Sequence, residues 1–189
     1  MTRLTRLCRA VGVGLAVAAT TLSVTGVAHA EPAPPNLGSA PAIAVPAGNK
    51  VFLVGKVSTG VQIYKCTAAG WTFDHPEATL VGDNGKEIIK HFAGPTWQAK
   101  DGSTVKAAVQ EPRVTVDPTA IPWLLLKTTS AVAGPGGDRL AHTTYIQRVN
   151  TGGGVAPTSG CDASTVGKEA RVGYTADYYF WKATGPGAP

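Results

Sequence analysis

From Val51 to Trp181 the chain alternates apolar and polar residues with a period of two, and nearly every run ends at a Gly, Pro, Asn or Asp cluster. A period of two belongs to strands, because successive side chains leave a strand on opposite faces. Val51–Gly55 reads as an apolar strand. Val61–Cys66 alternates, with Val61, Ile63 and Lys65 on one face. Trp71–Phe73 and Ala78–Val81 follow and run into Asp83-Asn84-Gly85; Asn-Gly is the strongest short hairpin signal, so Ile88–Phe92 is the return strand. Further strands are predicted over Pro95–Trp97, Thr104–Val109, Arg113–Val116, Trp123–Thr129, Leu140–Val149 and Arg171–Trp181. Leu140–Val149 pairs with Trp123–Thr129 and sets Tyr145, Gln147 and Val149 on one face, Ile146 and Arg148 on the other. About ten short strands at this spacing predict an all-β domain, a β-sandwich or a partly closed barrel. One short helix is expected at most, near Ser164–Glu169. Charged residues at 15 % and an abundance of Gly (23) and Pro (14) argue against a helical bundle.

The ends of the chain have a different character. Arg3, Arg6 and Arg9 precede an apolar run that closes on Ala28-His29-Ala30, the pattern of a secretory signal peptide cleaved after Ala30. Residues 31–49 form a Pro/Ala-rich stretch with Pro32, Pro34, Pro35, Pro41 and Pro46, read as a flexible spacer. Residues 50–182 hold every aromatic residue and form the β domain, and 183–189 read as a disordered tail. Without the leader's three arginines the formal charge falls from +5 to +2, so no basic footprint for nucleic acid remains. No later segment has the length of a membrane span. Secretion is therefore expected. The lack of a sorting motif, lipobox or apolar C-terminal tail favours release, with loose association with a cell wall as the other outcome.

Cysteine usage agrees with export. Cys8 lies before the apolar run and leaves with the leader, which leaves Cys66 and Cys161. Two cysteines without a Cys-x-x-Cys, in an oxidising compartment, predict one disulfide. It would close a loop of about 96 residues, worth about 4.7 kcal/mol by chain entropy.

Candidate chemistry concentrates in two places. His91-Phe-Ala-Gly-Pro-Thr-Trp97 with Asp101-Gly-Ser103 offers an imidazole and a carboxylate on neighbouring strands, and Glu77 is a second carboxylate; His91 with Asp101 or Glu77 is the acid–base candidate. The structural reading of the same residues is a Gly94-Pro95 bend, a core Trp97 and an Asp-Gly turn, and it is the stronger one. Asp74-His75-Pro76-Glu77, with His91 and His142, supplies ligand types for zinc or copper, but no His-x-His or His-x-x-x-His spacing exists, so no metal site is expected. Gly152-Gly-Gly154 lacks the strand–turn–helix setting of a dinucleotide site and there is no Walker loop, so no cofactor is implied. The aromatic residues are the other candidates. Consecutive residues face opposite sides, so Tyr178 and Tyr179 occupy different layers and one of them lies on the outer face. Exposed rings on a sheet are a platform for sugars, and Tyr64, Trp71, Trp97 and Tyr179 are the ligand-binding candidates.

Several blocks occur in a fixed order: Gly60-Val-Gln-Ile-Tyr-Lys-Cys66, Trp71-Thr-Phe73 with Pro76-Glu-Ala78, His91-Phe-Ala-Gly-Pro-Thr-Trp97 with Asp101-Gly-Ser103, Ile121-Pro-Trp-Leu-Leu-Leu126, Ile146-Gln-Arg-Val-Asn-Thr-Gly-Gly153 and Tyr174-Thr-Ala-Asp-Tyr178. Together they resemble the secreted bacterial and fungal family catalogued as domain of unknown function number 3455. The resemblance runs from about Gly60 to Phe180 and implies export and one compact domain; it carries no catalytic residue across. The expected function is non-enzymatic binding of a cell-wall or extracellular glycan or another surface polymer. A small hydrolase or metal-assisted enzyme and a structural envelope protein are the alternatives.

Overall fold

The turn residues of the sequence become the ends of eight antiparallel strands: β1 (Asn49–Thr67), β2 (Gly70–Val81), β3 (Glu87–Phe92), β4 (Thr96–Ala99), β5 (Thr104–Val114), β6 (Trp123–Val132), β7 (Tyr145–Gly153) and β8 (Glu169–Ala183). The structure, a computed structural model, describes residues 31–185. The expected signal peptide over 1–30 and the last residues of the expected tail lie outside the described residues. Each strand pairs with the next, and β8 returns to β1 along Asn49↔Ala183 to Lys65↔Glu169, so the sheet rolls into an up-and-down barrel. Of the two architectures expected, the barrel forms. A ring removes both sheet edges and leaves no unpaired row of backbone groups.

Eight strands replace the expected ten or so because three pairs of runs fuse, among them Thr104–Val109 and the start of Arg113–Val116 in β5. Val51–Gly55 and Val61–Cys66 are one long strand, β1, bent where its register shifts against β8 between Lys56 and Val61. Trp71–Phe73 and Ala78–Val81 are likewise one strand, β2. The Asn84-Gly85 hairpin forms as expected between β2 and β3, with Gly85 at φ 70°. The expected helix near Ser164–Glu169 does not form. The Asp162 carboxylate accepts from the Ser164 amide and hydroxyl and holds a turn, and Gly167 at φ 89° ends it before β8 begins. Leu140–Thr144, expected in strand, is loop.

Up-and-down order gathers the β2–β3, β4–β5 and β6–β7 connections at one end of the barrel. That end is plugged. Leu140 from the long β6–β7 connection is fully buried in the core beside Leu80, Ile89, Val105, Ile146 and Phe180. Ser103 Oγ accepts from the Leu140 amide at 3.0 Å, and the Asp101 carboxylate accepts from the Arg139 amide at 2.9 Å and from Ser103 Oγ at 2.6 Å. Gly134 is required here, because a Cβ would sit 2.1 Å from the Gly102 carbonyl carbon.

Of residues 31–49, read as a flexible spacer, Asn49 already begins β1 and the segment before it lies against the barrel. A single 3-10 turn at Pro41–Ile43 sets Ile43 and Ala40, both fully buried, on Leu125 and Val149, with Trp123, Tyr145 and Tyr179 around them. Gln147 Nε2 donates to the Ile43 carbonyl at 2.7 Å. Apolar residues on both faces of β6 and β7 thus have two separate destinations, the lumen and the underside of this segment.

Candidate functional site

Of the sequence-selected acid–base residues, His91 and Glu77 border one depression, and Asp101 is engaged at the plugged end. His91 is on the lumen side of β3, stacked flat on Trp97 with ring centroids 4.2 Å apart, and its Nδ1–H donates to the Thr96 carbonyl at 2.9 Å. Burial, with the Arg148 charge adding to it, lowers its pKa to about 3 despite the Thr96 bond, so the imidazole is neutral. Asp101 holds the plug at the far end; burial raises its pKa, but the hydrogen bonds from Ser103 and the Arg139 amide outweigh this and keep the carboxyl below its ordinary value. Glu77 neighbours Ala78, the residue opposite His91, so its side chain leaves β2 on the other face, where it pairs with Arg171 and lies 3.6 Å from His75 Nε2. His75 Nδ1 contacts Asp74 at 2.7 Å, and His142 contacts Asp138 at 3.4 Å elsewhere on the surface. Among the described residues no group of three or more His, Cys, Asp or Glu is placed to hold a metal ion.

The four rings selected as a sugar platform are also dispersed. Tyr64 is buried, donating its hydroxyl to the Gly154 carbonyl at 2.6 Å. Trp97 is 1 % exposed and unavailable to any surface polymer. Trp71 is half-buried at the mouth, its Nε1–H donating to the Ser159 carbonyl. Tyr179 faces outward while Tyr178 is buried in the lumen, as strand parity requires, but Tyr179 packs under the N-terminal segment. Their separation follows from alternation: no single face of a rolled sheet can hold rings of both parities.

Two of these rings instead line a cavity of about 320 Å³ in the unplugged half of the lumen. Eight strands leave a bore that side chains fill or that holds one small ligand, and here side chains fill only one half. The floor is the cluster of His91, Trp97 and Tyr178, with Tyr178 edge-on to both other rings at 5.3 and 5.7 Å. Tyr64, Gln62 and Arg148 stand on the wall, and Phe73, 50 % exposed, stands at the rim. Burial raises the Tyr64 phenol's pKa against the opposing pull of Arg148, and burial also raises that of Tyr174, whose hydroxyl is 3.3 Å from that of Tyr178. The β7–β8 connection lies at the same end of the barrel and is fastened by the Cys66–Cys161 disulfide and by the Gly167 amide donating to the Cys66 carbonyl. Gly154, at φ 78°, lets that connection pass against Tyr174 and Gln62, where a Cβ would come within 2.8 Å of Tyr174. A second, larger depression of about 590 Å³ is bordered by His91, Glu77, Lys90, Phe92 and Arg171, and none of the four selected rings borders it.

Arg148, Gln62 and Tyr178 were not selected from the sequence. The available signal was parity: Arg148 shares a face with Ile146, and a charge on an apolar face of a strand is what a functional lumen residue looks like. For Gln62 the parity misled, because the lumen takes Gln62 and Tyr64 while Ile63, 1 % exposed, is buried on the opposite face.

Fold and cavity together define the class: an all-β, disulfide-bonded, up-and-down barrel with one half of its lumen packed and the other half open to a small occupant. The chain belongs to the family described as protein of unknown function (DUF3455), whose pattern covers residues 46–182. No curated protein and no solved structure matches it. Among the described residues no helix is long and apolar enough to cross a membrane.

Proposed function

We propose that this is an exported, non-enzymatic binding domain that takes a small organic molecule into the open half of its barrel. The observation that carries the reading is the 320 Å³ cavity with a floor of buried rings and a few polar groups on its wall, the make-up of a small-molecule site. The signal-peptide pattern, together with the disulfide, supports export. The binding expectation drawn from the aromatic residues is kept, but its place moves from a flat surface to the lumen, since Tyr64 and Trp97 are inside. Binding is favoured over a hydrolase because the His91 N–H is held by Thr96, Glu77 is held by Arg171, and Asp101 is engaged at the plugged end.

The test is a screen of ring-bearing small molecules, neutral and charged, against the folded chain, read by thermal shift and tryptophan fluorescence. A true ligand at a hundred times its Kd stabilises the fold by about 2.7 kcal/mol. Binding is expected to vanish in Val109→Trp, which fills the lumen, while insoluble cell-wall and glucan particles retain neither protein. Retention on particles with an unresponsive lumen reverses the assignment.

A further inference from the structure

The cavity wall carries an electrostatic imbalance. No acidic residue is among those that line it, whereas two arginines are, Arg113 and Arg148. Arg113 is answered at the rim by Glu111, 3.2 Å away. Arg148 is different. It sits partly buried on β7, and its Nε and Nη2 donate to the Pro122 carbonyl at 3.2 and 2.8 Å. A carbonyl oxygen carries only a partial charge, and no carboxylate lies within ion-pair distance of Arg148 among the described residues. Arg171, on the outer face of β8, holds Glu77. A guanidinium brought partly out of water without an anion is costly unless something arrives to pair with it.

The other groups on the wall fit an anion better than a cation. His91 is neutral with its one N–H committed to Thr96, and the Tyr64 hydroxyl is committed to Gly154. The Gln62 side chain is 2 % exposed and its Nε2 has no hydrogen-bond partner, an amide not yet used by the protein. Around these lie flat apolar faces: the His91–Trp97 stack, Tyr178 and Phe73. At the roughly 30 Å³ that a water molecule occupies, the space holds about ten non-hydrogen atoms.

Resting on the lumen reading above, we infer that the occupant is a small organic anion, a carboxylate on a planar apolar body, with the carboxylate against the Arg148 guanidinium and the body over the ring floor. Arginine's fork matches a carboxylate's two oxygens and loses little freedom in binding them.

Calorimetry on the full folded chain at neutral pH tests this with matched pairs: benzoate against benzamide, phenylacetate against phenylacetamide, and cinnamate against cinnamamide. Each acid is expected to bind at least ten-fold more tightly than its amide. Arg148→Met is expected to erase that ratio by weakening the acids, and Arg148→Lys to retain part of it. Equal binding of acids and amides by the native chain overturns the anion assignment and leaves the lumen reading standing. Lumen binding of neutral ring compounds with no binding of any acid does the same. Silence of every compound, neutral or charged, overturns the lumen reading itself. The acid-to-amide ratio is measured on the native chain, so it decides the matter even where an Arg148 variant fails to fold.

Discussion

The imidazole of His91 lies flat on the Trp97 indole, out of water, with one N–H bound to a backbone carbonyl. Burial that lowers its pKa to about 3 means the folded protein refuses a proton that the unfolded chain accepts near pH 6.5. Between those values the unfolded state binds more protons, so stability rises with pH and is lost as pH falls below about 6.5, at up to about 1.4 kcal/mol per unit. Asp101, Asp117 and Asp162, whose carboxyls are held below their ordinary values chiefly by hydrogen bonds that outweigh desolvation, add their loss only below about pH 4. Urea unfolding at half-unit steps from pH 7 to 4.5 is therefore expected to show a slope that flattens in His91→Asn, which keeps a donor for the Thr96 carbonyl. A flat native profile over that window would mean His91 protonates inside the fold. At this scale the Asp101 turn was legible, because Asp-Gly needs only local geometry. The depth of His91 was not, because burial depends on what stands across the barrel.

Among the elements, the connection between β7 and β8 is the most dependent on covalent help. It spans residues 154–168 and has no regular structure beyond turns and one bridge from Gly154 to Ala120. Its anchors are the Cys66–Cys161 bond, the Trp71 Nε1–H to Ser159 bond and the Tyr64 hydroxyl to Gly154 bond. Reduction, or Cys66→Ala with Cys161→Ala, is expected to cost about 2–5 kcal/mol in guanidinium unfolding. Hydrogen exchange should rise first in 154–168, ahead of the barrel strands; uniform loss of protection would show that the bond serves the whole barrel instead. The pairing itself was legible from the cysteine count, with two cysteines beyond residue 30. The strand number was not, since β1, β2 and β5 each continue through an irregularity that sequence alone reads as a break.

For the molecule as a whole, the N-terminal segment completes a second core. Leu125 and Val149 lie on the outer faces of β6 and β7, and Ile43 and Ala40 cover them. Removing residues 31–45 uncovers that patch, and Ile43→Ala alone is expected to cost about 2–5 kcal/mol, measured by equilibrium urea unfolding. A change below about 0.5 kcal/mol, the range of ordinary surface substitutions, would show that the segment merely rests on the barrel. Its proline content suggests an extended linker, and the segment is largely extended; what composition does not reveal is that such a chain can be docked by one buried isoleucine and one hydrogen bond from Gln147.

Strand class, most turn positions, the disulfide partners and the family were determined by the sequence itself, because each rests on local backbone chemistry, on two cysteines with no third beyond residue 30, or on ordered blocks of residues. Alternation also separated the faces correctly, setting Tyr178 opposite to Tyr179 and Ile146 with Arg148. Which face became the lumen was decided only by closure of β8 onto β1, a pairing between residues more than a hundred positions apart for most of its length. That closure buried Gln62 and Tyr64, left Arg148 inside without a carboxylate, and split the aromatic residues between two cores. Period two defines two sides of a ribbon, and only the ring that the ribbon makes gives one of them an interior.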